Sequence, residues 1–75
     1  MPAVDKIITK MKNQPNGISI DEADIVLRHH NYRLDRQKGS HRQYITSSGD
    51  RLTIPERRPT IKPVYVKEIL RRIGE

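Results

Sequence analysis

Residues 32–55, YRLDRQKGSHRQYITSSGDRLTIP, decide the fold of this chain, because polar and apolar side chains alternate in three short segments. Alternation with a period of two is typical of strands that bury one face. Turn-forming residues separate the segments at 38–40 and at 47–50, and Pro55 ends the third. The stretch therefore predicts a meander of three antiparallel strands. The predicted strands are residues 32–36, 42–46 and 51–54.

Helical periodicity flanks this meander on both sides, and each helical segment has one apolar stripe. Residues 19–22, SIDE, fit a capping box at the start of the second helix. Pro63 suits the first turn of the last helix, and Gly74 suits its C-terminal cap. The sequence therefore predicts an α+β two-layer sandwich in the order α-α-β-β-β-α, with the helices on one face of the sheet. The predicted helices are residues 3–13, 20–30 and 63–73.

The length and composition of the chain exclude several classes of protein. A chain of 75 residues predicts one domain, residues 1–75. It contains no cysteine, which excludes disulfides and thiolate metal sites. No apolar run approaches the roughly 20 residues of a membrane-spanning helix, and the N-terminus lacks the apolar core of a signal peptide. We therefore expect a cytoplasmic protein without membrane association.

Positive charge is concentrated in the second half of the chain. The formal net charge is +6, and residues 1–32 contain four cations and four anions, so the excess falls entirely in residues 33–75. A basic half beside a neutral half indicates a partner with a phosphate backbone, such as a nucleic acid. The only aromatic residues are three tyrosines. A broad base-stacking platform is therefore not expected, and recognition would rest on phosphates and shape.

His41 is the strongest candidate for a reactive side chain. It follows Gly39 and Ser40 at a predicted turn, and its cationic neighbours Lys38 and Arg42 disfavour the imidazolium form. A neutral imidazole can act as a general base. On RNA it could deprotonate a ribose 2′-OH, which then attacks the adjacent phosphate while cations neutralise the developing charge. The alternative interpretation is that His41 only begins a strand.

The other histidines and the remaining cations have weaker signals. His29 and His30 are adjacent at a helix end, so their side chains diverge, and we interpret them as structural residues and not as metal ligands. Exposed cations near His41 and on the last helix could contact RNA, although each could also belong to a solvated surface. The candidate RNA-binding residues are Lys38, Ser40, Arg42, Arg57, Arg58, Lys62 and Lys67, with Arg71 as a further cation on the last helix.

Residues 19–74 resemble the HicA (YcfA-like) mRNA interferase toxins. The resemblance rests on Gly39-Ser40-His41 at the start of the second strand, followed by LTIP at 52–55 and IKPVYVK at 61–67. It implies a fold like that of double-stranded-RNA-binding domains and a ribosome-independent ribonuclease that degrades mRNA. It also implies that His41 is the catalytic histidine, and that a HicB-type antitoxin covers the active site.

The chain departs from the family pattern at two places. Residues 1–18 add a helix ahead of the minimal family core. The segment Glu56-Arg57-Arg58 stands where many members have a histidine near the end of the third strand, so the resemblance does not identify a general acid.

Three functions remain open from the sequence. The first is the toxin of a type II toxin–antitoxin system, a metal-independent endoribonuclease that cleaves mRNA with His41 as general base and needs no cofactor. The second is a non-catalytic RNA-binding module on the same fold. The third is a structural or protein-binding module whose basic surface meets an acidic partner.

Overall fold

The computed structural model describes residues 2–75, and in this part of the chain three α-helices and three strands follow the predicted order α-α-β-β-β-α. The α+β class is therefore confirmed. Met1, the first residue of the predicted domain, lies outside the described residues. The elements are α1 (Pro2–Asn13), a 3₁₀ helix (Pro15–Gly17), α2 (Ile20–His29), β1 (Arg33–Lys38), β2 (His41–Ile45), β3 (Arg51–Pro55) and α3 (Pro63–Arg72).

The capping box predicted at the start of α2 is present. Ser19 Oγ accepts a hydrogen bond from the Glu22 backbone N–H at 3.1 Å, and Glu22 Oε1 accepts one from the Ser19 N–H at 3.0 Å. Lys10 Nζ of α1 donates to Glu22 Oε2 at 3.0 Å. Partial burial acts to raise the pKa of Glu22, but the hydrogen bonds from Ser19 and Lys10 outweigh it and lower the pKa. The same carboxylate thus caps α2 and ties α1 to it.

The sheet is antiparallel in the order β1-β2-β3 and has two different faces. On the covered face, Tyr44 pairs with Leu34 on one side and Leu52 on the other, and its side chain is fully buried. This settles the orientation of β2, which the sequence left open between Tyr44 and Ile45. Because successive side chains of a strand point to opposite faces, the open face is formed by Arg33, Arg36, Lys38, His41, Gln43, Ile45, Arg51 and Thr53. The covered face is formed by Leu34, Gln37, Arg42, Tyr44, Leu52 and Ile54.

A bulge interrupts the alternation of β1. Leu34 pairs with Tyr44 and Arg36 pairs with Gln43, so Asp35 is an extra residue without a partner on β2. Such a bulge shifts the direction of all later side chains by one residue. Strand pairing then continues to Lys38, and β1 is therefore two residues longer at its C-terminal end than predicted. The other predicted strand bounds are wrong by one residue at most.

The core lies between the covered face and the three helices. The loop between β3 and α3 joins it through Ile61, whose backbone N–H donates to the Ile18 carbonyl at 2.9 Å. The first helix is also part of this core, and Met11 is fully buried. None of the helices within residues 2–75 has both the length and the apolar character needed to cross a membrane. The residues that α1 contributes are Val4, Ile7, Ile8 and Met11.

Candidate functional site

The turn between β1 and β2 places His41 at one end of the sheet. Gly39 has a φ of 60°, a left-handed conformation that residues with a side chain rarely adopt. Its carbonyl accepts a hydrogen bond from Gln37 Nε2 at 3.1 Å. The turn occupies only Gly39 and Ser40, and Lys38 pairs directly with His41 across it. His41 is therefore the first residue of β2, with its side chain on the open face.

β3 holds His41 from the other side. His41 pairs with Pro55, and the Glu56 backbone N–H donates to the Ser40 carbonyl at 2.5 Å. The backbone on both sides of the histidine is thus fixed by neighbouring strands. The chain leaves the sheet directly after this contact, through Arg57 and Arg58, so these two exposed arginines lie two and three residues beyond the pairing partner of His41.

The imidazole of His41 is exposed, and neither of its ring nitrogens has a hydrogen-bond partner among residues 2–75. His30 differs, because its Nδ1 lies 2.9 Å from the Val26 carbonyl and its ring packs edge-on against His29. These contacts agree with the interpretation of His29 and His30 as structural residues. His29 is also exposed, but it packs against His30 at the end of α2, whereas His41 lies beside the exposed Lys38 at the end of the sheet, where it is available to a ligand.

Arg42 points away from His41, toward the covered face. Its Nε donates to Glu56 Oε1 at 2.9 Å, and its Nη1 donates to Tyr44 Oη at 3.3 Å. Nη1 also lies 3.7 Å from Asp24 Oδ1, and the side chain is only 16% exposed. The guanidinium of Arg42 is therefore paired with carboxylates of the protein itself. The structure does not bring this predicted RNA-binding residue together with the imidazole.

Four side chains, Asp24, Arg42, Tyr44 and Glu56, form a polar cluster beneath the turn. Tyr44 Oη donates to Asp24 Oδ1 of α2 at 2.6 Å, and burial together with this hydrogen bond raises the pKa of Tyr44 to about 12. The hydrogen bond from Arg42 lowers the pKa of Glu56. Gln37 donates both to Glu56, at 3.2 Å, and to the turn. The polar cluster thus connects α2 and the end of β3 to the turn that positions His41.

The other predicted RNA-binding residues fall into two groups. Lys38 and Ser40 are exposed in the turn next to His41, and Arg57 and Arg58 are exposed in the segment that follows Pro55, where Arg58 lies 3.7 Å from Asp21 and 3.6 Å from Glu56. Lys67 is exposed on α3 in the helical layer, and Lys62, also exposed, precedes this helix as its N-terminal cap residue. Arg71, on the same helix, is bonded to Glu68 at 2.5 Å. The structure therefore places Lys38 and Ser40 at the turn, Arg57 and Arg58 in the segment after β3, and the α3 cations in the other layer.

The sequence reasoning missed three arginines on the open face, Arg33, Arg36 and Arg51. Simple alternation from the apolar Leu34 places Arg36 on the covered face, because the two residues are separated by two positions. The bulge at Asp35 reverses this, and Arg36 pairs with Gln43 on the open face. The only signal in the sequence was the density of cations in residues 33–51, which does not indicate a face.

Comparison with known proteins gives one match. A family model described as the HicA toxin of bacterial toxin-antitoxin matches residues 20–75, a range that includes every element from α2 to α3. Curated proteins and solved structures gave no match.

Proposed function

The chain belongs to the HicA toxin family of bacterial toxin–antitoxin systems, and we propose that it is a type II toxin that cleaves mRNA as a metal-independent endoribonuclease, with His41 as general base. The observation that carries this proposal is the setting of His41. Its imidazole is exposed, has no partner in the described part of the chain, and is held between Lys38 and Pro55 by strand pairing. A turn supported by the polar cluster fixes its position.

The proposed reaction uses the 2′-OH of the substrate as nucleophile. The imidazole accepts the hydroxyl proton, the 2′ oxygen attacks the adjacent phosphorus, and the bond from phosphorus to the 5′ oxygen breaks. The 5′ oxygen takes up a proton, so the products are a 2′,3′-cyclic phosphate and a 5′-OH. Lys38, the cross-strand neighbour of His41, and Arg57 are the nearest exposed cations along the backbone and would stabilise the charge that develops on phosphorus.

Glu56 does not supply the proton for the leaving oxygen in this proposal. It belongs to the segment that replaces the histidine of many family members, but its carboxylate accepts hydrogen bonds from Arg42 and Gln37. These bonds lower its pKa, so the group stays ionised near neutral pH. Its role is to support the turn from the covered face.

The family implies an antitoxin partner, and we propose a cytoplasmic HicB-type protein whose acidic surface covers His41. Charge supports this partner, because Lys38, which pairs with His41, is exposed, as is Arg57, two residues after the other pairing partner Pro55. An acidic segment at this position would neutralise these cations and exclude RNA from the histidine. Association of this kind would weaken as salt rises.

The test is cleavage of an unstructured RNA by the purified, antitoxin-free protein in EDTA. We expect products that end in a 2′,3′-cyclic phosphate or its hydrolysed form. His41→Ala should reduce the rate at least about 100-fold, the usual minimum contribution of a general base. His29→Ala, which changes another exposed histidine, should retain the wild-type rate.

Two results would count against this proposal. An unchanged rate in a folded His41→Ala protein would remove the assignment of the base. RNA that binds but stays intact with wild-type protein would favour the non-catalytic RNA-binding module.

A further inference from the structure

The open face of the sheet contains three rows of side chains, and His41 lies in the first. Strand pairing places Arg36 in the second row and both Arg33 and Arg51 in the third. Rows on one face of a strand are about 6–7 Å apart, a spacing comparable with that of neighbouring phosphates in an extended RNA strand. The rows across β1, β2 and β3 are Lys38–His41–Pro55, Arg36–Gln43–Thr53 and Arg33–Ile45–Arg51.

Cations dominate the open face. Four cations stand against one carboxylate, Asp35 at the bulge, which leaves an excess of three positive charges before His41 is counted. Asp35 lies 3.2 Å from Arg51 and 3.7 Å from Arg33, and both arginine side chains are more than half exposed. Arg36 and Lys38 are exposed and make no ion pair with any residue from 2 to 75. Lys38 in the row of His41 and Arg36 in the next row are therefore available to an anion.

The open face offers no aromatic ring for base stacking. Tyr32 and Tyr44 are buried, and Tyr65 packs against the core from α3. The other side chains of the middle row, Gln43 and Thr53, are neutral, so they do not compete for the charge of Arg36. Cations without stacking partners position a phosphate backbone and do not read its bases.

We propose that the open face is the substrate track of this enzyme, on which single-stranded RNA runs from His41 across the row of Arg36 toward the row of Arg33 and Arg51. The inference rests on the proposed function and extends it, because it specifies the form of the RNA and the residues that hold it. In-line attack by a 2′-OH requires a backbone freed from duplex geometry, which favours a single strand. Arg36 binds the phosphate next to the scissile one and contributes to affinity, whereas His41 performs the chemistry.

Binding is tested with Arg36→Gln and, as matched control, Lys6→Gln, which removes one exposed cation from α1 on the helical side of the molecule. Both changes are placed on His41→Ala protein, so that the RNA stays intact. The probe is a fluorescent single-stranded RNA of about ten nucleotides, within the usual range of site sizes. We expect Arg36→Gln to weaken affinity about 5- to 10-fold at low salt and to reduce the salt slope by about 0.7. Lys6→Gln should change neither quantity.

Kinetics on the protein with an intact His41 give a second readout. Arg36→Gln should raise KM for RNA while leaving kcat within about twofold of wild type, because uniform binding is lost without loss of transition-state contacts. A lowered kcat with an unchanged KM would overturn the track, because Arg36 would then act on the reaction and not on binding. Equal RNA affinity of the Arg36→Gln and Lys6→Gln proteins would also overturn it and would assign the open face to another occupant, such as an acidic protein.

Failure of the two proposals can be told apart. Absence of cleavage by wild-type protein would overturn the proposed function, whereas the affinity comparison in His41→Ala protein decides the track without any turnover.

Discussion

The two faces of the sheet use arginine in opposite ways. On the covered face, Arg42 is 16% exposed and bonded to Glu56 and Tyr44. On the open face, Arg36 is exposed and has no carboxylate partner in the described range. Identical side chains therefore have different tasks: the first stabilises the turn beneath His41, and the second is available to a ligand. The sequence shows how many cations a strand contains, whereas the face to which each one points decides which of them is available to a ligand.

The largest effect expected from this comparison is on stability at the covered face. Tyr44→Ala removes a fully buried ring and leaves Asp24 and Arg42 without their shared partner. We expect a loss of about 3–5 kcal/mol in the free energy of unfolding, measured with urea. Gln43→Ala, the adjacent residue on the open face, should lose no more than about 0.5 kcal/mol. Comparable losses for the two variants would contradict the division into faces.

The free energy of unfolding should fall at alkaline pH because of Tyr44, the buried tyrosine of the covered face. Burial and the hydrogen bond to Asp24 raise the pKa of Tyr44 to about 12, so the folded protein holds this proton more tightly than the unfolded chain does. The resulting stability is complete below about pH 10 and is lost as the pH rises toward 12, and it amounts to about 2–3 kcal/mol. Between those pH values the wild type should lose this much more unfolding free energy than Tyr44→Phe. Parallel pH profiles for the two proteins would show that the phenol does not contribute in this way.

Replacing each of the two arginines by methionine, in separate variants, distinguishes an effect on stability from an effect on RNA binding. Arg42→Met removes the hydrogen bonds that the guanidinium donates to Glu56 and to Tyr44, and takes the neutralising charge away from Asp24 and Glu56, so we expect a cost of about 1–3 kcal/mol in unfolding free energy. Arg36→Met should cost less than about 0.5 kcal/mol but weaken RNA binding. Urea titration and RNA anisotropy on both variants provide the measurement. The distinction fails if Arg42→Met weakens RNA binding more than Arg36→Met does.

The smallest effect concerns the carboxylate at the bulge. Asp35→Asn frees Arg33 and Arg51 from a surface ion pair, and such pairs contribute about 0–1 kcal/mol. If RNA reaches the third row, affinity should increase about two- to threefold at low salt, and the increase should disappear as salt rises. Anisotropy at two salt concentrations measures both. Unchanged affinity at low salt would show that bound RNA does not reach the row of Arg33 and Arg51.

Local patterns in the sequence predicted the elements and the turn that holds the candidate site. The capping box at Ser19, the glycine at 39 and the proline at 63 each encode structure within a few residues, and all three act as predicted. The bulge at Asp35 has no comparable signature, because a polar residue in a polar strand fits either phase. The orientation of Tyr44 depended on tertiary packing, since an apolar residue follows it directly.

The candidate site was accordingly predictable only in part. His41 was proposed from its local sequence, and Arg42 was placed beside it on sequence adjacency alone. Neighbouring residues of a strand point to opposite faces, and the buried partners of Arg42 come from α2 and from the residue after β3. These long-range contacts are not visible in a single sequence. Arg36 was missed for a different reason, the bulge at Asp35, which reverses the alternation of β1.

Because Met11 and Ile18 are buried, the hydrophobic core of this chain extends beyond residues 20–75, the range that matches the family model. Both side chains are fully inaccessible, yet they precede residue 20, where the family match begins. A chain trimmed to the matched range would expose the surface that they cover, at about 1.5–3 kcal/mol for each large apolar side chain. In this toxin, α1 is therefore part of the hydrophobic core and contributes to the stability of the fold.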